Sequence, residues 1–333
     1  MKPNRSLKRS ANEWRNSLVN ALSDCASSLF KAIMAVLLSA AFSSQVLAQS
    51  AKPSEQQLGK LKRVRVNGVE LHYSERGQGV PVIFVHGGLD DYRMWKAQVE
   101  PFAQHYRVIA YSRRYNYPNN NSHIRADHSA IIEADDLAAL IKKVNLERVH
   151  VVGHSYGAFT ALFLAVKHPE LVRTLVLAEP PVLRWAQEKQ EGRALFDEFM
   201  GNMWRPAGEA FRRGEKEQAL RLTVKYFAGE GVFEQVPEEL RQYWASNLRD
   251  WQALTTSRDA FPELRREDVK SLKAPVLMLS GERTLDIHKF VDAELQPLLQ
   301  NGERVIIPDA SHDMWNEQPE ASRRAVRAFL AER

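Results

Sequence analysis

Short apolar runs alternate with helix-like stretches along most of this chain. Runs at residues 81–85, 107–111, 148–152, 172–178, 275–279 and 304–307 predict buried strands. Apolar periodicity predicts helices at residues 92–104, 158–168 and 289–299. It also predicts a helix that follows residue 127 and ends at about residue 144, and a last helix that begins at about Trp315. Before them, residues 61–66 and 69–73 flank Asn67 and Gly68, which predicts a hairpin. Apolar strands separated by helices predict an α/β fold with a mostly parallel, doubly wound sheet.

One long segment interrupts this alternation after the run at 172–178. Residues 182–261 are rich in helix formers and in bulky side chains, among them Trp185, Phe196, Phe199, Met200, Met203, Trp204, Phe211, Tyr226, Phe227, Tyr243, Trp244 and Trp251. We predict a helical cap here, in which most of these side chains pack together and a few line a pocket. The predicted core then comprises residues 62–181 and 262–333, preceded by a tether at 49–61.

The first 48 residues are organised like an export signal. A basic region ends at Lys31, residues 32–42 are apolar, and residues 46–48 (VLA) offer small side chains where a signal peptidase reads them. The apolar stretch is too short to cross about 30 Å of hydrocarbon as a helix. We predict a Sec-type signal peptide cleaved after Ala48, and a periplasmic or secreted protein. The alternative is a membrane anchor formed by an uncleaved leader.

Charge and cysteine content narrow the classes of function. The 333 residues carry a formal net charge of +5, but six of the 46 basic and only two of the 41 acidic residues lie in the leader. The 40 basic and 39 acidic residues that remain nearly balance. We therefore expect no nucleic-acid partner and no stable membrane insertion after cleavage. The one cysteine, Cys25, lies in the leader, which leaves the rest without a disulfide or thiol nucleophile.

Residues 153–157 (GHSYG) stand between a predicted strand and a predicted helix. A G-x-S-x-G pattern at such a junction predicts a nucleophile elbow, a tight turn that exposes the Ser155 hydroxyl above the sheet. Gly153 and Gly157 would lack a Cβ where the strand and the helix nearly touch. The alternative is an ordinary glycine and serine turn.

The predicted topology brings several polar residues to one edge of the sheet. Right-handed crossovers place the C-terminal ends of parallel strands together, where ligands bind. The residues at those ends are His86, Ser155, Glu179, Gly281 and the loop after residue 307. A serine hydroxyl needs a base to take its proton. His312, between the last strand and the last helix, is the predicted general base.

Negative charge that develops on a carbonyl oxygen requires hydrogen-bond donors. The backbone N–H of Tyr156, at the start of a helix, and that of Gly88, in a glycine turn, are the predicted oxyanion donors. This chemistry needs no cofactor. We expect no metal site, because His123 and His128 flank a polar loop with Asp127 but no third ligand is spaced to join them.

Two carboxylates are candidates for orienting His312. Glu179 follows the run at 172–178, and Asp286 follows the run at 275–279. Each also has a structural alternative, since Glu179 can cap a helix or pair with the cap, and Asp286 can be the N-cap of the next helix. The residue pattern alone leaves both open.

These landmarks together resemble the α/β-hydrolase fold superfamily, from about residue 62 to the end. The matching motifs are residues 82–88 (VIFVHGG), Trp95, residues 149–157 (VHVVGHSYG), residues 311–312 (SH) and residues 317–320 (EQPE). The resemblance implies an α/β-hydrolase fold with a helical cap and a serine nucleophile. Ser155 distinguishes the chain from haloalkane dehalogenases and epoxide hydrolases, which attack with a carboxylate.

One departure from the family pattern bears on the acid. The family's usual acid lies three residues after Gly281, where this chain has Thr284. Some members instead carry the acid after the strand that follows the elbow helix, and Glu179 holds that place. The resemblance therefore favours Glu179, with Asp286 as the alternative.

The expected function is that of an exported serine hydrolase acting on a small ester, lactone or related acyl substrate through an acyl-enzyme. A carbon–carbon bond hydrolase or a cofactor-free perhydrolase would use the same triad. The missing acid at Thr284 also leaves open a non-catalytic ligand-binding protein on this fold.

Overall fold

A single eight-stranded sheet organises the chain in the computed structural model, which describes residues 58–333. The strands are β1 (Lys60–Val66), β2 (Val69–Arg76), β3 (Pro81–Val85), β4 (Arg107–Tyr111), β5 (Val149–His154), β6 (Val172–Ala178), β7 (Val276–Gly281) and β8 (Gly302–Ile307). They lie in the order β1-β2-β4-β3-β5-β6-β7-β8. The β1–β2 and β2–β4 pairs are antiparallel and the other pairs are parallel. The predicted fold class is confirmed.

Helices connect the parallel strands. The first half of the core contains α1 (Lys96–Ala103), α2 (Ala130–Lys143) and α3 (Tyr156–Lys167). Six helices lie between β6 and β7 in the cap region, namely α4 (Gln190–Phe199), α5 (Arg205–Arg212), α6 (Lys216–Ala228), α7 (Val232–Gln235), α8 (Glu238–Ser246) and α9 (Leu248–Thr255). The rest are α10 (Arg266–Lys270), α11 (Asp286–Leu295), α12 (Met314–Glu317) and α13 (Pro319–Ala331).

Alternate side chains of the central strands enter two apolar clusters, one on each face of the sheet. In β3, Ile83 and Val85 join the cluster that contains α2 and α3, whereas Val82 and Phe84 join the cluster that contains α1 and α13. All four side chains are fully buried. The continuous apolar runs of the sequence thus reflect strands that are covered on both faces.

Aromatic rings hold the cap helices together. Phe199 packs on Trp204 with ring centroids 5.5 Å apart, and Trp204 meets Trp251 edge to face at 5.2 Å. The Phe261 ring lies 4.5 Å from the Trp204 ring and extends the cluster beyond α9. Most of the bulky residues in the cap segment therefore serve packing, as the sequence indicated.

Two sequence expectations require correction. The segment expected to be a tether includes Lys60, but β1 begins there because the backbone pairs with β2 and Lys62 binds Glu75 at 2.5 Å. Asp286 is the first residue of α11 rather than its N-cap, a position that Leu285 occupies.

The leader and its expected cleavage after Ala48 lie outside the described residues. Within residues 58–333, no helix has the length and apolar character needed to cross a membrane.

Candidate active site

Ser155 occupies a sharp turn between β5 and α3. Its backbone has φ +52° and ψ −124°, a conformation that L-residues rarely adopt. The turn depends on glycines, because a Cβ on Gly157 would lie 2.3 Å from backbone oxygens at the end of β3. A Cβ on Gly153 would lie 2.6 Å from the Cα of Ala158. This is the nucleophile-elbow geometry that the GHSYG pattern predicts.

A continuous hydrogen-bonded line runs from this serine to a buried carboxylate. The Ser155 Oγ lies 2.9 Å from Nε2 of His312, and the Nδ1 of the same ring lies 2.5 Å from Oε2 of Glu179. Because a carboxylate only accepts, the Nδ1 carries the proton and Nε2 is left to accept from the serine hydroxyl. The three side chains therefore meet the geometric requirement for a nucleophile, a base and an orienting acid.

Glu179 is the carboxylate that the structure brings to His312. Its side chain is fully buried, and it accepts hydrogen bonds from the backbone N–H of Gly281 and from the Thr284 hydroxyl, each at 2.7 Å. Thr284 thus supports a carboxylate that another strand supplies. Asp286 lies elsewhere, with a largely exposed side chain that binds Lys289 at 3.1 Å.

Two further histidines contact His312, and sequence reasoning gave neither a role beside it. His154 Nε2–H donates to the backbone carbonyl of His312 at 2.9 Å, which fixes the loop that carries the base. The His288 ring stacks on the His312 ring with centroids 4.2 Å apart and planes 6° from parallel. Burial, followed by repulsion from His312, lowers the pKa of His154 to about 3 and that of His288 well below its usual range. Because their pKa values are lowered, both rings are poor proton acceptors, and neither competes with His312 for the proton of Ser155.

The predicted oxyanion donors belong to two segments that adjoin Ser155. Tyr156 is the first residue of α3, where backbone N–H groups have no partner within the helix. The turn that contains Gly87 and Gly88 passes against Ser155, since a Cβ on Gly87 would lie 3.2 Å from the serine Cβ. Gly88 in turn faces the Trp251 ring, which a Cβ there would approach to 2.5 Å.

Carboxyl and aromatic side chains surround this turn. Asp90 Oδ2 would lie 3.5 Å from a Cβ on Gly87. Removal from water, together with repulsion by Asp91, raises the pKa of Asp90 to about 7. On the other side, the Phe227 ring of the cap stacks over His312 with centroids 5.6 Å apart.

Among the described residues, two groups bring three metal-ligand atoms within 4.8 Å of one another. In the group of Glu179, His288 and His312, the two rings are parallel, so their in-plane lone pairs do not converge on one point. The other group comprises His128, Glu133 and Asp250, and shows that a partner for His128 comes from the cap rather than from His123. The Arg113 guanidinium and the His128 ring already lie against both carboxylates of this group. Neither arrangement fits a metal ion.

The fold and the site together define a hydrolase of the α/β type. Residues 82–325 match the sequence profile of the alpha/beta hydrolase family, and the chain belongs to that family. The matched residues include Ser155, Glu179 and His312.

Two curated relatives carry hydrolase names, and a solved lactonase structure shares the fold. The chain is 23% identical over 269 residues to the (E)-2-((N-methylformamido)methylene)succinate hydrolase of Acinetobacter baylyi, covering 79% of this chain and 95% of that protein. It is 24% identical over 276 residues to the 2-(acetamidomethylene)succinate hydrolase of Mesorhizobium japonicum, covering 81% and 94%. The crystal structure of the enol-lactonase from Burkholderia xenovorans shares the fold with a TM-score of 0.67 and 19% identity, over 81% of this chain and all of that one. This protein is likewise an enzyme of the hydrolase class.

Proposed function

We propose that this enzyme is an exported serine hydrolase that cleaves a small, uncharged ester or lactone through an acyl-enzyme. The observation that carries the proposal is the unbroken line of hydrogen bonds from Ser155 through His312 to Glu179. A binding protein without catalytic activity would have no need to keep these three side chains in hydrogen-bonding geometry.

In the acylation step, Ser155 Oγ attacks the substrate carbonyl carbon while His312 Nε2 takes the hydroxyl proton. The resulting imidazolium is stabilised and oriented by Glu179. The carbonyl electron pair moves onto oxygen, and the backbone N–H groups of Gly88 and Tyr156 donate hydrogen bonds to that oxygen. Collapse of the tetrahedral intermediate expels the alcohol, which takes its proton from His312.

Deacylation repeats these steps with water as the nucleophile. His312 removes a proton from water, the hydroxide oxygen attacks the acyl carbon, and Ser155 leaves with the proton returned by the imidazolium. With a lactone, the expelled alcohol remains part of the acyl group, and a single hydroxy acid is released.

The charge around the site supports an uncharged substrate. The two curated relatives are named for substituted succinates, which are dianions at neutral pH. In this chain Asp90 lies beside the turn that holds the expected oxyanion donor, and its ionised form would repel an anionic substrate. The enol-lactonase shares only the fold and adds a lactone to the substrate classes worth testing.

Substitution of Ser155 by Ala tests the acyl-enzyme directly. The wild-type enzyme should hydrolyse p-nitrophenyl acetate or a small lactone and react covalently with a fluorophosphonate probe, whereas Ser155→Ala should lose both by at least about 10³-fold. Mass spectrometry should locate the probe on Ser155. Unchanged hydrolysis by the variant would remove the acyl-enzyme mechanism. A wild-type enzyme that is neither labelled nor active would favour a ligand-binding protein. Labelling without ester or lactone turnover would favour the carbon–carbon hydrolase or perhydrolase alternative.

Export rests on the leader, with its basic region, its apolar stretch at 32–42 and small residues before position 49. An intact-mass measurement on protein from the periplasm should give a chain that begins at Gln49. A full-length chain retained in the membrane fraction would instead support the anchor.

A further inference from the structure

A buried arginine lies directly behind the turn that supplies the expected oxyanion donor. Arg113 follows β4 and is fully buried. Its Nη2 donates to the backbone carbonyl of Gly87 at 3.0 Å, and its Nε donates to that of His86 at 3.2 Å. Buried charged side chains are rare unless they are paired. The burial of Arg113 against this turn therefore indicates that the charge has a role there.

The carbonyl that Arg113 holds belongs to the same peptide unit as the Gly88 N–H. In a trans peptide the C=O and the N–H point in opposite directions. His86 Nδ1–H also donates to the Gly87 oxygen at 2.8 Å, while His86 Nε2 accepts from the Arg113 backbone N–H at 3.0 Å. Two donors thus fix the oxygen end of this peptide, which fixes the direction of the Gly88 N–H. A charged donor on the carbonyl also polarises the N–H at the other end.

The charge of this arginine is balanced from the cap. Arg113 Nη2 lies 2.7 Å from Asp250 Oδ2 on α9, and Nη1 lies 3.4 Å from Glu133 Oε1 on α2. Burial would raise the pKa of Asp250, but Arg113 and the neighbouring His128 together outweigh it, and the pKa is lowered. The residue after Asp250 is Trp251, whose ring packs on Gly88. One cap helix therefore contacts both the arginine and the peptide that it holds.

We propose that Arg113 and Asp250 are positioning residues for the oxyanion site. Arg113 orients and polarises the peptide between Gly87 and Gly88, and Asp250 holds Arg113 from the cap. The inference rests on the proposed serine-hydrolase function, and it predicts an effect that is confined to the transition state. Because substrate binding does not require the oxyanion contact to be fully formed, kcat should change and KM should not.

The test compares Arg113→Lys with Arg114→Lys in the full-length enzyme. Arg114 is a matched control, since it is the next residue, is also buried and binds Asp136 through two hydrogen bonds of 2.7 and 2.8 Å. Arg113→Lys should lower kcat with p-nitrophenyl acetate by roughly 10- to 100-fold and leave KM within about 3-fold. Its affinity for phenylboronic acid, which forms a tetrahedral adduct with the serine, should fall by a similar factor. Arg114→Lys should change neither value by more than about 3-fold.

Asp250→Asn provides a second variant that keeps the shape of the side chain. It should lower kcat and the boronic-acid affinity by similar factors. Both factors should be smaller than in Arg113→Lys, because Arg113 retains Glu133 as a counter-charge. The proposal is overturned if Arg113→Lys and Asp250→Asn behave like Arg114→Lys, or if they raise KM with kcat unchanged. Failure of the proposed function would look different, because the wild-type enzyme itself would then neither react with a fluorophosphonate nor turn over an ester.

Discussion

At the scale of single residues, the proposed acid follows a different strand from the one that carries the family's usual acid position. Glu179 has φ +51°, an unusual backbone conformation that projects its side chain along the edge of the sheet toward His312. Thr284, at the family's usual acid position, donates to this carboxylate at 2.7 Å. The two positions thus form one unit, in which a hydroxyl group replaces an acid that another strand now provides.

The contrast between Glu179→Gln and Asp286→Asn tests this assignment. A glutamine would face its NH₂ group toward the Thr284 hydroxyl or toward His312, where an acceptor is required. The base would then favour the tautomer with its proton on Nε2, which cannot accept from Ser155. We expect Glu179→Gln to lower kcat by roughly 10³- to 10⁴-fold in a steady-state ester assay. The exposed Asp286→Asn should stay within about 2-fold, and the reverse ranking would make Asp286 the acid.

Sequence could predict that Ser155 and His312 belong to one site, but it could only reduce the choice of carboxylate to Glu179 or Asp286. Ser155 and His312 are marked by local patterns, a glycine-framed turn and a loop before the last helix. The acid depends on which of two strand ends reaches the ring, and that distance involves residues more than a hundred positions apart. A threonine hydroxyl in the family's acid position was the available signal, since it can donate to a carboxylate but cannot replace one.

At the scale of elements, the elbow is the feature whose sequence and geometry agree most closely. A side chain on Gly153 of β5 would meet the backbone of α3, and a side chain on Gly157 of α3 would meet the backbone at the end of β3. Apolar runs located β3 to β6 well, because strands buried on both faces leave continuous apolar stretches. The ion pair between Asp250 on α9 and Arg113 after β4 could not be predicted in this way, because a single long-range ion pair produces no periodic pattern along the chain.

Gly157→Ala measures how much the elbow depends on that missing side chain. The new Cβ would lie 2.3 Å from backbone oxygens at the end of β3, which cannot move without shifting the strand. We expect a loss of about 3 kcal/mol or more in the free energy of unfolding, measured with urea. Gly201→Ala is the matched control, since no atom lies within 4 Å of its added Cβ and alanine favours a helix. Equal losses in the two variants would mean that the close approach is not what constrains the elbow.

At the scale of the whole molecule, carboxyl groups removed from water shape the pH dependence of stability. The pKa of Asp90 is raised to about 7 by burial and by Asp91, and burial also raises the pKa of Asp292 to about 7 and that of Asp136 to about 6. Each group binds a proton more tightly in the folded chain than in the unfolded chain. Their shared contribution to stability is therefore present at low pH and is lost as pH rises.

Asp90→Asn isolates one of these contributions. In the unfolded chain Asp90 loses its proton near pH 4, but in the folded chain it does so near pH 7, so its contribution to stability falls across that interval. Removing the group should reduce the fall in unfolding free energy between pH 4 and 7 by about 3 kcal/mol, as measured by urea titrations at several pH values. Asp127→Asn should act weakly in the opposite direction, since Arg125 lowers the pKa of that exposed carboxyl group. If the pH dependence of Asp90→Asn matched that of the wild-type enzyme, the carboxyl group would already be ionised in the folded state near pH 5. The negative charge that opposes an anionic substrate would then be present below neutral pH as well.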